Sequence, residues 1–284
     1  MKLSRRYFKP LMYAFLLLTS LTQTPALAAD SDGTLVFGFL PILSTQRLIT
    51  RFKPLVDEIS SELGQPIRME TAPDYIEFIK RTQAKRYDIV FTAPHLYYLA
   101  NDKTGYKVIV RVNASDLKAI IVATKASHIT KLSELKGKKI AMPDRMSLAA
   151  AMVRNYIRKM GLDPDKDITI VSTPSHNASL LTAYNGVTDV AGLMLPPYKH
   201  ASEKIRNAMV VLATTSGLPH MPIAVSPTLQ PELVQKLAHI LTSLNESSKG
   251  KMLLKKLGWP QGFVATSNNE YAPLRKIVLE LHLE

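Results

Sequence analysis

The strongest constraint on this chain is an alternation that runs along most of it. A short apolar run is followed by a polar turn and then by a segment with apolar residues at helical spacing. Residues 35–40 (Leu-Val-Phe-Gly-Phe-Leu) have strand length and 41–45 form a turn. The segment 47–63 then places Leu48, Phe52, Leu55, Val56, Ile59 and Leu63 near a 3.6 period before Gly64 stops it. The same order returns at 66–84, at 87–100, at 137–160 and at 168–184. Strands alternating with helices in this way predict a parallel sheet covered by helices, an α/β fold.

The alternation breaks twice. Residues 117–124 are a strand-like run read as a crossing from a first lobe to a second, and 218–225 read as the crossing back. Further strands are expected at 106–112, 188–194 and 210–214, and helices at 232–247 and 271–283, the last two packing on the first lobe. The expected organisation is a leader at 1–29, lobe 1 at 30–116, lobe 2 at 117–220, and a return to lobe 1 at 221–284. Two α/β lobes joined by two hinge crossings make a clamp. Open α/β sheets bind ligands at the carboxyl ends of their strands, and such hinges close around what is bound.

The leader is read from Lys2, Arg5, Arg6 and Lys9, the apolar stretch 11–21, and the A-x-A pattern ending at Ala28/Ala29. It predicts export to the periplasm with cleavage there. Ser4-Arg5-Arg6-Tyr7-Phe8 also matches a twin-arginine signal, although the strongly apolar core favours the ordinary secretory route. Taking the four leader charges from the chain's +13 leaves +9, a balance suited to anionic solutes. No arginine-rich helix, aromatic–basic interleaving or zinc module suggests nucleic acid. The chain has no cysteine, which excludes disulfides, thiolate metal sites and a cysteine nucleophile.

Five turns lie where a strand gives way to a helix: Ser44-Thr45, Asp74-Tyr75, Thr92-Ala93-Pro94-His95, Arg145-Met146-Ser147 and Thr173-Pro174-Ser175-His176-Asn177. Ser, Thr and Asp at such places cap helices, and helix N-termini attract anions. The expected ligand-binding set is Tyr75, Thr92, His95, Arg145, Ser147, Ser175, His176 and Asn177. His176 leads it, because an imidazole can donate to an oxyanion whether neutral or charged. The chain has no G-x-S-x-G, H-E-x-x-H, Walker or G-x-G-x-x-G motif and no i, i+4 histidine pair. Neither an enzyme nor a cofactor or metal is expected.

The order and spacing of several motifs resemble the periplasmic solute-binding proteins of the phosphate/phosphite/phosphonate ABC-transporter family. They include Phe37-Gly38-Phe39-Leu40-Pro41, Ala72-Pro73-Asp74-Tyr75, Tyr87-Asp88-Ile89-Val90-Phe91-Thr92-Ala93-Pro94, Leu132-Ser133-Glu134-Leu135, Ser175-His176-Asn177-Ala178 and Tyr271-Ala272-Pro273-Leu274. The resemblance implies a two-lobed type II periplasmic-binding-protein fold that holds an oxyanion at helix N-termini. It also implies a monomer that delivers a small anion to an ABC permease. A sensor subunit that signals to a membrane receptor kinase is the alternative. Tyr75 matches a ligand-contacting tyrosine of that family and His176 its oxyanion-binding histidine. Ser147 falls where the family carries a Ser-Thr-Ser-Gly loop, of which this chain keeps one hydroxyl. Leu117, Leu195 and Met221 stand about where members carry an aromatic or a carboxylate, so the pocket is expected to be more apolar than the family's best-known version.

Overall fold

A computed structural model describes residues 33–283; the expected leader and its cleavage site lie outside the described residues. The first strand, β1 (Leu35–Phe39), is buried along its whole length and sends alternate side chains to two cores. It is followed by α1 (Thr45–Leu63), β2 (Ile67–Thr71), α2 (Tyr75–Gln83), β3 (Ile89–Phe91), α3 (Pro94–Thr104) and β4 (Lys107–Val112). The chain then crosses to a second sheet, built from β5 (Ala119–Thr124), β6 (Lys139–Pro143), α4 (Leu148–Lys159), β7 (Thr169–Thr173), α5 (His176–Tyr184), β8 (Val190–Met194), α6 (Leu195–Lys199), α7 (Glu203–Ala208) and β9 (Met209–Thr214). It returns through β10 (Pro222–Val225) and ends with α8 (Pro231–Ser243), α9 (Ser248–Leu257), β11 (Phe263–Ala265), α10 (Asn268–Tyr271) and α11 (Arg275–Glu280).

The six-stranded sheet has the order β11-β4-β10-β3-β1-β2 and the five-stranded sheet the order β7-β6-β8-β5-β9. The purely parallel sheet expected from the alternation is not what forms. β1 runs parallel to β2 and β3, and β6 to β7 and β8. β10, however, inserts antiparallel between β3 and β4, and β5 is antiparallel to both β8 and β9. The crossings cause this. A strand that enters a sheet from the other half of the molecule, with no helix to turn it round, arrives pointing the opposite way. Most of the 117–124 segment is therefore the interior strand β5, between β8 and β9, and only its first residues cross.

The two connections run side by side. Leu117 and Leu218 form an antiparallel bridge, with Leu117 N donating to Leu218 O at 2.8 Å and Leu218 N to Leu117 O at 3.0 Å.

Three apolar clusters hold the layers. One lies between the outer face of the first sheet and α1, α8 and α9; it is rich in aromatic rings, with Phe39, Phe52 and Phe91 within 6.0 Å of one another. A second lies under α5 in the second sheet. The third is continuous from Val36 and Tyr87 in the first half through Leu117 to Ile121 and Ile140 in the second. Gly38 in β1 is required by this packing: an added Cβ would meet the Tyr87 ring at 2.5 Å.

Candidate functional site

Five strands end at one cavity of about 250 Å³. The turn after β1 supplies Leu40 to Leu43, the turn after β3 supplies Ala93 and Pro94, and α2 begins there with Tyr75. From the second sheet come Pro143, Asp144 and Ser147 after β6, Pro174, Ser175 and His176 after β7, and Met194 at the end of β8. Leu117 and Met221, from the two connections, complete the wall between the sheets.

The polar part of the wall is built from helix starts. Ser147 caps α4, its Oγ accepting from Ala150 N at 3.2 Å, and Ser175 caps α5, its Oγ accepting from Ala178 N at 3.1 Å. A hydroxyl that accepts a capping bond still has its own O–H to donate. The first amides of each helix lack an intrahelical acceptor and carry the positive end of the helix dipole. In α4 these are Leu148 and Ala149, both on the cavity wall.

His176 is the most specific donor. Its Nδ1 receives a long 3.5 Å bond from Met194 N, and a ring nitrogen that accepts carries no hydrogen. The proton is therefore on Nε2. Burial pulls the imidazole pKa down to about 4, so at neutral pH the ring is uncharged and offers one N–H. Across the cavity, burial and the charge of Asp144 push the Tyr75 pKa up, which keeps the phenol protonated and able to donate. The wall thus presents neutral hydroxyl, imidazole and amide donors, an array suited to an anion's oxygen atoms.

Four of the eight expected residues, Tyr75, Ser147, Ser175 and His176, stand on this wall. The other four do not. Thr92 and His95 are 2% and 0% exposed and lie behind Ala93 and Pro94, because Pro94 begins α3 and presents the backbone instead. Among the described residues Thr92 Oγ1 and His95 Nδ1 have no hydrogen-bond partner, while His95 Nε2 donates to Met146 O at 3.0 Å. Arg145 is exposed because it occupies the tip of a turn. That turn is closed by Ser147 N donating to Asp144 O at 2.8 Å and Met146 N donating to Asp144 Oδ1 at 2.7 Å. Asn177 follows His176 by one residue, about 100° round the helix, and is exposed.

Two charged wall residues were absent from the expected set. Asp144 begins the turn that positions Ser147. Arg51 lies on α1, its guanidinium 5.7 Å from the Trp259 ring and donating to Leu257 O at 2.6 Å. One of several basic residues in an amphipathic helix, alongside Arg47 and Lys53, gives no signal of such a role. Leu117 and Met221 line the cavity, as the family positions they match implied, whereas Leu195 does not and its neighbour Met194 does.

A family model described as ABC transporter, phosphonate, periplasmic substrate-binding protein matches residues 37–271. The chain belongs to this family. The phosphonates-binding periplasmic protein of Escherichia coli K12 is 23% identical over 269 residues, covering 90% of this chain and 79% of that one. PhnD1 of Prochlorococcus marinus, solved in complex with methylphosphonate, superposes with a TM-score of 0.79 at 16% identity, over 88% of this chain and 99% of that one. A binding-protein component of an ABC phosphonate transporter from Pseudomonas aeruginosa gives 0.76 at 20% identity, over 88% and 87%. The fold is that of these type II binding proteins. Membership places the chain among periplasmic, substrate-binding transport proteins and favours import over the sensory alternative. Among the described residues no helix is long and apolar enough to cross a membrane.

Proposed function

We propose that the cavity captures a small phosphorus oxyanion of the phosphate, phosphite or phosphonate class and that the loaded protein delivers it to an ABC permease. The observation that carries this reading is the convergence of two capped helix starts, Ser147 on α4 and Ser175 on α5, with the Nε2–H of His176 on one cavity. Tyr75, Ser147, Ser175 and His176 are the ligand-holding residues of this proposal. Residues 30–116 with 221–284 act as one lobe and 117–220 as the other, closing about the Leu117–Leu218 bridge. The protein works as a monomer, without catalysis and without nucleic acid, after cleavage of its leader near Ala28/Ala29.

Calorimetry on ligand-stripped protein tests the reading against phosphate, phosphite, methylphosphonate, sulfate and small carboxylates. At least one phosphorus oxyanion is expected to bind tighter than millimolar and ahead of the carboxylates. If none does, the reading fails. Light scattering and N-terminal sequencing of exported protein check the monomer and the cleavage site.

A further inference from the structure

Part of the cavity lining offers an anion no side-chain donor. Leu40, Ile42 and Leu43 come off the end of β1, Leu117 and Met221 from the two connections, and Met194 from the end of β8. Their side chains carry no hydrogen-bonding group beyond weakly accepting thioethers. Key backbone amides of this wall are already engaged. Leu40 N donates to Phe91 O at 3.0 Å, Leu117 N to Leu218 O, Met221 N to His220 Nδ1 at 2.8 Å and Met194 N to His176 Nδ1. The donors are thus concentrated on Tyr75, Ser147, Ser175, His176 and the start of α4, and an apolar surface faces the same space.

Size adds to the contrast. The cavity, at about 250 Å³, is larger than a bare phosphonate head group of one phosphorus and three oxygens needs. The rest adjoins apolar wall, which gains from contact with hydrocarbon rather than water.

The charges present argue against a cationic substituent. An ammonium against Leu117 and Met221 would be desolvated with no partner there. Among the described residues the wall carries one carboxylate, Asp144, which lies on the Ser147 turn beside the proposed anion donors, where its Oδ1 accepts from Met146 N. The other charged group, Arg51, repels a cation, and its guanidinium is stacked on Phe52 and Trp259.

We infer that the ligand is a phosphonate bearing a short, uncharged hydrocarbon substituent, and that Leu117, Met194 and Met221 select that substituent. This rests on the reading that the cavity binds a phosphorus oxyanion.

The test is calorimetry with methyl-, ethyl-, propyl- and butylphosphonate, alongside 2-aminoethylphosphonate, which matches propylphosphonate in shape, and 3-phosphonopropionate, which ends in a carboxylate. Affinity is expected to rise about fourfold per buried methylene up to butyl. Propylphosphonate is expected to exceed the aminoethyl compound by roughly tenfold or more. Met194→Ala should flatten the chain-length slope, and Met221→Glu should shrink or reverse the propyl-to-aminoethyl ratio, with thermal melts confirming that each variant is folded. A flat series, or a charged substituent that matches or beats propyl, overturns the inference while leaving the anion reading intact. Failure of every phosphonate to bind overturns the anion reading itself.

Discussion

The buried His95 imidazole donates from Nε2 to the Met146 carbonyl at 3.0 Å, and this bond joins the first half of the molecule to the second. His95 is the second residue of α3, and Met146 lies in the turn that sets Ser147 at the head of α4. The bond therefore holds a cavity-lining turn from behind.

Removing the imidazole leaves the Met146 carbonyl without this donor, and an abandoned buried acceptor costs about 1–3 kcal/mol. His95→Ala is expected to lose at least that much in urea unfolding, with a further cavity contribution. His95→Gln, which can still donate, should recover part of it. Equal stability of His95→Ala and the parent protein would show that the bond contributes nothing.

The same histidine sets an acid limit. Burial lowers its pKa to about 4, against an ordinary value near 6.5, and the bond to Met146 opposes this only in part. Between those values the unfolded chain binds the proton and the folded protein does not, so stability falls as pH falls through that window. A fully buried imidazole with this shift contributes a loss on the order of 3 kcal/mol by pH 4. Burial also holds His176 and His220 at about 4, and they add to the slope. Chemical unfolding from pH 7.5 to 4 should show the decline, and it should be shallower in His95→Gln. An unchanged slope in that variant would remove His95 as a source.

The residues differ in how openly the sequence declares them. The strand–turn–helix order is legible because each element buries one face, and burial imposes a period of two or 3.6 on the apolar residues. The direction of β10 is not, since Pro222–Val225 is an apolar run that reads the same in either sheet orientation. The lysine-rich α9 is not legible either, because Met252, Leu253 and Leu254 form one short run set between lysines rather than a helical period. In the site, Ser147 and Ser175 are legible as caps. Thr92 and His95 look equivalent on paper, yet the Ala93-Pro94 start of α3 turns both into the interior. Arg51 reaches the wall only through tertiary packing on Trp259.

Gly38 and Tyr87 form a pair whose fit can be measured. A Cβ at Gly38 would sit 2.5 Å from the Tyr87 ring, and that ring is stacked on Phe78 with centroids 5.4 Å apart. The ring cannot swing clear without disturbing α2, so Gly38→Ala should cost about 1–3 kcal/mol through overpacking. Tyr87→Ala removes the obstacle. In a double-mutant cycle the two changes should be less than additive, and strict additivity would mean that the close approach is not the cause.

His176 supplies the sharpest binding prediction. Its Nδ1 is fixed as an acceptor by Met194 N, which leaves the Nε2–H for a ligand oxygen. A hydrogen bond to a charged group contributes about 1.5–3 kcal/mol, so His176→Ala should weaken the bound oxyanion roughly ten- to a hundredfold. The donor is neutral, with a pKa of about 4 in the free protein. A dianionic ligand nearby favours the charged imidazole and raises that pKa, against the loss of the weak 3.5 Å bond from Met194 N that protonation of Nδ1 gives up. Below neutrality, binding should therefore take up protons, and affinity for a fixed ionic form of the ligand should strengthen as pH falls toward the raised value. Calorimetry in buffers of different ionisation enthalpy reads the uptake directly. In His176→Gln, which donates but does not titrate, the uptake should vanish while part of the affinity remains. Equal proton uptake in parent and His176→Gln would assign the coupling to another group, and unchanged affinity in His176→Ala would remove the residue from the site.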